Sequence, residues 1–460
     1  MSTPHEPQKV DERHGADPAN PDTSLISLSG QQRIPDQKVA SATRKKVVTA
    51  SFIGNFVEWF DYAVYGYLAI TISKVFFPEA DPQVALLSTF ALFAISFLVR
   101  PIGGFFWGHY GDRVGRREAL ALSILIMSAA TFCIALIPSY SVIGIWAPIL
   151  LLVMRVAQGF SASGEYAGAS AFLVEYAPRR KRGLYAAVVP ASTATGLLLG
   201  SLIAGMLTTL LSEEDLTNWG WRLPFLLAAP MGLIGRYIRS KLEDTPAFRE
   251  LAEKDEAIKA PAKDLFRDHW KSLLLASGVV LLNAVGFYVI LSYMPTYLTT
   301  VVKLPEGQSH FATTVALLTY IFFILGTGML SDRFGRKRML IVASVCFIVL
   351  TVPAFMILDT GNFLMILLIQ ILLGGMLTLN DGTLPSFLAE IFPTKVRYSG
   401  FAVSFNLSNA LFGGTAPFVA TWLIQSTGND LAPGFYLVAA SIVSLIAVSF
   451  AVETSRKKLR

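Results

Sequence analysis

Twelve runs of about twenty mostly apolar residues, separated by polar or basic segments, leave this chain few ways to fold. A segment of that length crosses the hydrocarbon of a bilayer as a helix, because a spanning backbone must satisfy its own hydrogen bonds. The runs fall near 48–73, 85–109, 119–138, 143–174, 184–210 and 221–239, then 272–298, 311–330, 339–358, 363–391, 401–425 and 432–452. With 53% of residues hydrophobic and 15% charged, the bilayer is the main solvent for this chain.

The expected fold is therefore an all-α membrane protein with twelve transmembrane helices in two pseudo-symmetric six-helix halves. Residues 1–43, rich in Pro, Asp, Gln and Ser, read as a disordered tail without a secretory signal. The halves occupy 44–239 and 272–452, a charged linker fills 240–271, and a second tail covers 453–460. Within the linker, Thr245 followed by Pro246 suggests the start of a short surface helix through Leu251.

Basic residues alternate between loops. Arg44, Lys45 and Lys46 precede the first span, Arg113, Arg116 and Arg117 follow the second, and Arg179, Arg180, Lys181 and Arg182 follow the fourth. Arg333, Arg336, Lys337 and Arg338 follow the eighth, Lys395 and Arg397 the tenth, and Arg456, Lys457 and Lys458 the last. Both termini are therefore expected in the cytoplasm, with the protein in the bacterial inner membrane. The same rule accounts for the net charge of +6, so no nucleic-acid partner is implied.

Two motifs recur in register. GDRVGRR from Gly111 is echoed by SDRFGRK from Ser331, and EYAPRRKRG from Glu175 by EIFPTKVRYSG from Glu390. Repeated halves are a transporter architecture. There is no Gly-rich phosphate loop ending in Gly-Lys-Ser/Thr for an ATP-driven pump, and no nucleophile and base at a recognisable spacing for an enzyme. Cys133 and Cys346 suggest neither a disulfide nor a metal site, and no cofactor or partner protein is implied. A membrane sensor would need a folded domain outside the bilayer, and the loops are too short and polar for one.

The motif GHYGDRVGRR from Gly108 resembles the loop signature of the major facilitator superfamily, and RVAQG from Arg155 resembles its fourth-helix signature. GNFVEWFDYAVYGY from Gly54, RPIGG from Arg100, QGFSASGEYAGAS from Gln158, WGWRLPF from Trp219 and EDTPAF from Glu243 resemble the metabolite:proton symporter family. IPSYSVIGIWAPILLL from Ile137 and SYMPTYL from Ser292 look closest to its proline/glycine betaine porters. The resemblance implies alternating-access symport of a small molecule with protons. Arg155 stands where that group can carry lysine, no coiled-coil tail follows the last span, and Asn380-Asp381-Gly382 is similar to the wider family. A carboxylate porter is thus the alternative to an osmolyte porter.

Ionisable residues inside the hydrocarbon cost at least a few kcal/mol each and usually mark pathways. Here they are Glu58, Asp61, Arg100, Arg155, Glu165 and Asp381. Counting about 1.5 Å per residue from the basic cluster puts Glu58 about 18 Å into the membrane, with Asp61 a turn further. A carboxylate in a dry site can hold a proton and release it when water enters, so Glu58 and Asp61 are the proton-coupling candidates. Asn55, Glu58, Tyr62 and Tyr65 share one helical stripe, expected to face the central cavity. Arg155 suits a substrate carboxylate, or else pairs with Glu165 or an acid of the first span. Asn55, Tyr62, Tyr65, Arg155, Glu165 and Asp381 are the substrate-binding candidates.

Arg100 is expected as a structural partner of Glu58 or Asp61. In the repeated loops, Asp112, Arg113, Arg116, Asp332, Arg333 and Arg336 are expected to hold a gate in one conformation, Asp112 foremost. Aromatic residues crowd the first span (Trp59, Phe60, Tyr62, Tyr65, Tyr67) and the seventh (Phe287, Tyr288, Tyr293, Tyr297), where they serve either a cation cage or plain packing.

Overall fold

In the computed structural model, the described residues are 41–104, 106–107, 116–163, 165–240, 261–393, 396–457 and 459. The proposed surface helix through Leu251 lies outside them, as do Asp112 and Arg113. Twelve helical rods follow in order. In the first half, α1 comprises Ser41–Tyr67 and Ala69–Phe76 on either side of Leu68, followed by α2 (Pro82–Gly104), α3 (Arg116–Leu136), α4 (Trp146–Glu175), α5 (Arg182–Leu210) and α6 (Arg222–Ser240). In the second half, α7 (Trp270–Thr300), α8 (Glu306–Phe334), α9 (Arg336–Leu358) and α10 (Phe363–Ile391) precede α11, which opens at Arg397–Ser408 and ends at Ala416–Thr427, and α12 (Ala432–Phe450).

Among the described residues, nine of these helices are long and apolar enough to cross a membrane by composition alone. The other three are α1, α3 and α6. Helix α1 carries Asn55, Glu58 and Asp61 along its length, and α3 has its apolar part confined to Leu122–Leu136. In α1 these polar groups are satisfied by contacts inside the bundle.

The rods end where sequence chemistry ends them. Asp81 accepts a hydrogen bond from the Gln83 amide, with Pro82 at the first helical position, so α2 begins there. Gly335 takes φ +103° between α8 and α9, a conformation that side chains rarely adopt. A Cβ there would also approach the Glu453 carboxylate within 2.9 Å. Arg222, in the WGWRLPF motif, donates to the carbonyls of Ala135 (3.0 Å) and Ile137 (3.1 Å), holding the end of α3. Its neighbour Trp221 is buried edge-on against Phe76.

Packing repeats between the halves. The α3–α6 contact recurs as α9–α12, and α2–α4 as α8–α10. The halves meet through equivalent pairs, α5 against α8 and α11 against α2. A short helix, Pro261–Asp268, packs on α7 and α11 through buried Leu265. Two π-helical turns, Tyr288–Tyr293 in α7 and Asn409–Gly413 in α11, interrupt the middle of their helices, and such turns are frequent at functional sites.

Small residues set the closest approaches. A Cβ on Gly159 of α4 would collide with the Ser96 backbone of α2, and one on Gly103 with the Phe160 carbonyl. Gly159 of the fourth span and Gly103 of the second therefore let two helix backbones touch. Replacing Gly159 by Leu should destabilise the fold by about 1–3 kcal/mol or more. Gly326→Ala, at a site with no atom within 4 Å of the added carbon, should leave thermal unfolding in detergent unchanged.

Candidate functional site

Glu58 on α1 and Arg100 on α2 meet in the first half with an N–O separation of 3.7 Å, both side chains almost fully buried. The Arg100 guanidinium lies over the rings of Phe97 (4.2 Å), Tyr62 (4.6 Å) and Trp59 (5.9 Å). Its Nε and Nη2 make no hydrogen bond. A loosely paired cation inside an aromatic pocket still has hydrogen-bonding capacity to offer an anion.

One turn further, Asp61 turns toward α3. Its Oδ2 accepts from Thr131 Oγ1 (3.0 Å), Thr131 accepts from Gln158 Nε2 (2.6 Å), and Gln158 Oε1 accepts from Arg155 (2.9 Å). Arg155 also donates to Ser96 (3.0 Å) and lies 4.1 Å above the Tyr65 ring. A polar relay thus joins α1, α3, α4 and α2 through wholly buried groups. Asp61 Oδ1 has no hydrogen-bond partner, so this carboxyl can carry a proton without displacing any contact.

In the second half, the buried acid is Asp381 on α10. It accepts from Asn283 (2.9 Å), Asn380 (3.0 Å) and Tyr320 (2.7 Å). It lines a small cavity between the halves, together with Trp59, Tyr166, Phe287, Tyr320 and Phe405 among others. The free space there is about 10 Å³, room for roughly one water. Admitting an amino-acid-sized solute requires the halves to part.

Contacts between the halves close both ends of this cavity. At the end where α1 begins and α12 finishes, Asp332 accepts from the Gly183 and Leu184 amides at the start of α5 (2.9 and 3.1 Å). That placement sets an anion at a helix N-terminus. Arg336 grips Asp332 (2.7 Å) and Glu390 (3.3 Å). The paired motifs then cross over: Arg397 meets Glu175 at 3.0 Å, while Arg182 meets Glu390 at 3.9 Å. Each arginine stands seven residues after the glutamate of its own half and binds that of the other.

The chain beyond α12 joins this network. Thr454 donates to Glu390 (2.7 Å), and the Lys457 carbonyl accepts from Arg182 (2.9 Å). Burial alone would raise the Glu453 carboxyl, but amide donors from Ser455, Arg336 and Lys337 outweigh it and hold the group below its ordinary value. The far end is closed by uncharged contacts: Tyr67 donates to the Leu291 carbonyl, Ser201 meets Thr314 (3.0 Å), and Gln425 donates to the Gln83 carbonyl (3.3 Å).

The structure places the sequence candidates unevenly. The stripe of Asn55, Tyr62 and Tyr65 does not face the central cavity as expected. Asn55 binds Ser192 and Thr193 of α5, Tyr65 donates to the Thr89 carbonyl of α2, and Tyr62 packs against Arg100. Helix α1 is enclosed on three sides, so its polar stripe satisfies neighbours within its own half and leaves Trp59 to meet the cavity. Arg155 has no carboxylate within ion-pair distance among the described residues. The side chains of Glu165 and Arg116 lie outside the described residues. Asp332 and Arg336 belong to the inter-half network, whereas Arg333 turns away over the Phe334 ring (5.6 Å).

Of the two aromatic clusters, Trp59 and Phe287 reach the cavity. Tyr67, Tyr293 and Tyr297 are engaged in the hydrogen bonds of helix packing. Asn283, Tyr320, Tyr166, Phe405 and the Thr131–Gln158 relay escaped the sequence reading. They are ordinary residues at ordinary helical spacings, and only tertiary packing brings them together.

A bundle of twelve helices, with charges buried inside apolar helices and a closed network at one end, is the architecture of a multi-pass membrane transporter. The sequence profile of the sugar (and other) transporter family matches residues 46–460, and the chain belongs to that family of the major facilitator superfamily. It is 43% identical over 425 residues to the glycine betaine/proline/ectoine/pipecolic acid transporter OusA of Dickeya dadantii, covering 90% of this chain and 85% of that protein. It is 40% identical over 444 residues to the proline/betaine transporter of Salmonella typhimurium, covering 95% and 88%. Among solved structures, the proton:xylose symporter XylE bound to 6-bromo-6-deoxy-D-glucose superimposes with a TM-score of 0.75 at 17% identity, over 92% of this chain and 98% of that one.

Asp332→Asn should loosen the network by removing the charge that Arg336 and the two α5 amides share. Labelling of a Thr327→Cys reporter by a membrane-impermeant thiol reagent, with Cys133 and Cys346 replaced by Ala, should accelerate about tenfold, equivalent to a shift of about 1.4 kcal/mol. An unchanged rate would show that Asp332 does not hold these helices together.

Proposed function

We propose that this chain is a proton-coupled symporter that imports a small zwitterionic osmolyte, such as proline or glycine betaine, by alternating access. The observation that carries the reading is the central cavity: one carboxylate, Asp381, set among the rings of Trp59, Tyr166, Phe287, Tyr320 and Phe405. An acid inside an aromatic box suits a bulky ammonium group, which the rings attract through their faces. The names of the similar transporters OusA and proline/betaine transporter agree with that chemistry.

Arg100 stands behind Trp59 with Nε and Nη2 free of hydrogen bonds, and takes the substrate carboxylate once Trp59 moves. The zwitterion thus spans from Arg100 in the first half to Asp381 in the second, and its binding draws the halves together. Asp61 carries the proton, through an oxygen that no neighbour occupies, while Glu58 balances Arg100 until substrate arrives. Arg155 and Gln158 hold Thr131, and through it Asp61, in place. The halves at 44–239 and 272–452 rock as units about the cavity.

The end bearing the Asp332–Arg336 network faces the cytoplasm, because basic residues collect there, and both termini lie on that side of a bacterial inner membrane. Asp332, Arg336, Glu390, Arg182, Glu175 and Arg397 form the cytoplasmic gate. By the repeat, Asp112 plays the matching part in the first half. Arg100 also favours a second reading, a porter for a dicarboxylate such as 2-oxoglutarate, which Asp381 would oppose by charge.

Uptake of labelled glycine betaine, proline and 2-oxoglutarate into proteoliposomes under an inward proton gradient separates the two. Accumulation of betaine or proline is expected, with Asp381→Asn raising the KM for betaine at least tenfold. Preference for 2-oxoglutarate would overturn the assignment of substrate.

A further inference from the structure

Away from the transport pathway, at the basic end of the second half, the α8–α9 turn and the segment after α12 enclose a cleft of about 480 Å³. Its walls include Arg333, Lys337, Arg338 and Arg456, against a single acid, Glu453. Both Glu453 oxygens are already taken, Oε1 by the Arg336 and Ser455 amides (2.8 and 2.9 Å) and Oε2 by the Lys337 amide (3.1 Å). Its charge serves the start of α9 and leaves the basic side chains without an anion. No carboxylate lies within ion-pair distance of Arg333, Lys337, Arg338 or Arg456 among the described residues. Among the described residues, the Lys337 side chain donates to the Ser449 carbonyl (2.7 Å) and that of Arg456 to the Arg333 carbonyl (3.2 Å).

Placement by the positive-inside rule accounts for basic residues at this end, but not for their gathering around a cavity with their donors unspent. The surroundings add a second feature. Phe334, Phe450 and Val452 are exposed beside the cleft, and Val342, Val345 and Val349 run down the outer face of α9 from Arg338, at spacings of four, three and four residues. A basic hollow at the level where the helices end, opening onto an exposed apolar stripe, matches a molecule with an anionic head and hydrocarbon tails. A soluble anion would use the hollow and leave the stripe unused.

We propose that this cleft binds an anionic phospholipid, with the phosphodiester held by Arg333, Arg338 and Arg456 and an acyl chain lying along the valines of α9. The bound lipid ties the segment after α12 to the α8–α9 turn. That segment reaches the gate through Thr454 and Lys457, so occupancy of the cleft favours the closed cytoplasmic network. The binding claim does not depend on which solute the central cavity carries.

Native mass spectrometry of the full chain, released from micelles with defined amounts of phosphatidylglycerol or phosphatidylcholine, tests it. Phosphatidylglycerol should be retained about tenfold more than phosphatidylcholine, and 10 mM inorganic phosphate should not displace it. The combined variant Arg333→Gln, Arg338→Gln and Arg456→Gln should fall to the phosphatidylcholine level. Arg338→Gln alone, at a side chain with no ion-pair partner, should lower retention at least threefold without altering thermal unfolding, which keeps the test valid if the combined variant folds poorly. Equal retention of phosphatidylglycerol by wild type and both variants would overturn the proposal. Its displacement by inorganic phosphate would overturn it as well, by showing a site for free anions.

Discussion

Hydrocarbon offers no hydrogen bonds, and every polar atom that this chain carries into the bilayer has to find its partner within the protein. That constraint explains the arrangement around α1. Glu58 cannot be hydrated there, so Arg100 sits against it; Asp61 cannot either, and it draws Thr131, Gln158 and Arg155 into a chain running across four helices. These contacts fix the rotation of α1 about its axis, and the rotation decides that Trp59 faces the cavity. Removing one member of such a buried set would leave its partner stranded at a cost of several kcal/mol. The buried polar groups of the first half are consequently held by one another.

The second consequence appears where the halves meet. The inner part of the interface is small and aromatic, and the far end is held by neutral hydrogen bonds, whereas the basic end is held by charges. The crossed pairs Arg182–Glu390 and Arg397–Glu175 are the same device used twice, as the internal repeat requires. Ion pairs that are buried when the halves close and hydrated when they part gain little net energy either way. Contacts of this kind can therefore part without a large penalty, and their geometry rather than their strength makes the closed arrangement specific.

The overall architecture was legible in the sequence because hydrophobic length and loop charge are local properties: twelve runs, basic loops on alternate sides and two repeated motifs sufficed. Glu58, Asp61, Arg100, Arg155 and Asp381 were legible for the same reason, since an ionisable residue within an apolar run stands out. Their partners did not stand out. Gln158 and Thr131 are unremarkable on their own helices, and Asn283 is 98 residues from the Asp381 it binds. The direction of the Asn55–Tyr65 stripe was misjudged because a helix enclosed by neighbours of its own half has polar company on more than one face. The strap formed by Glu453, Thr454 and Lys457 reads as a tail, since its hold on Arg336, Glu390 and Arg182 comes from contacts distant in sequence.

In the proposed mechanism, coupling rests on Asp61 carrying a proton while Arg100 and Asp381 carry the solute. The most direct measurement is external alkalinisation on adding glycine betaine to de-energised proteoliposomes, set beside betaine counterflow in the same preparations, for wild type and Asp61→Asn. The account predicts that wild type shows both signals, while Asp61→Asn keeps counterflow and loses the proton signal. A variant that retained betaine-dependent proton uptake would contradict it.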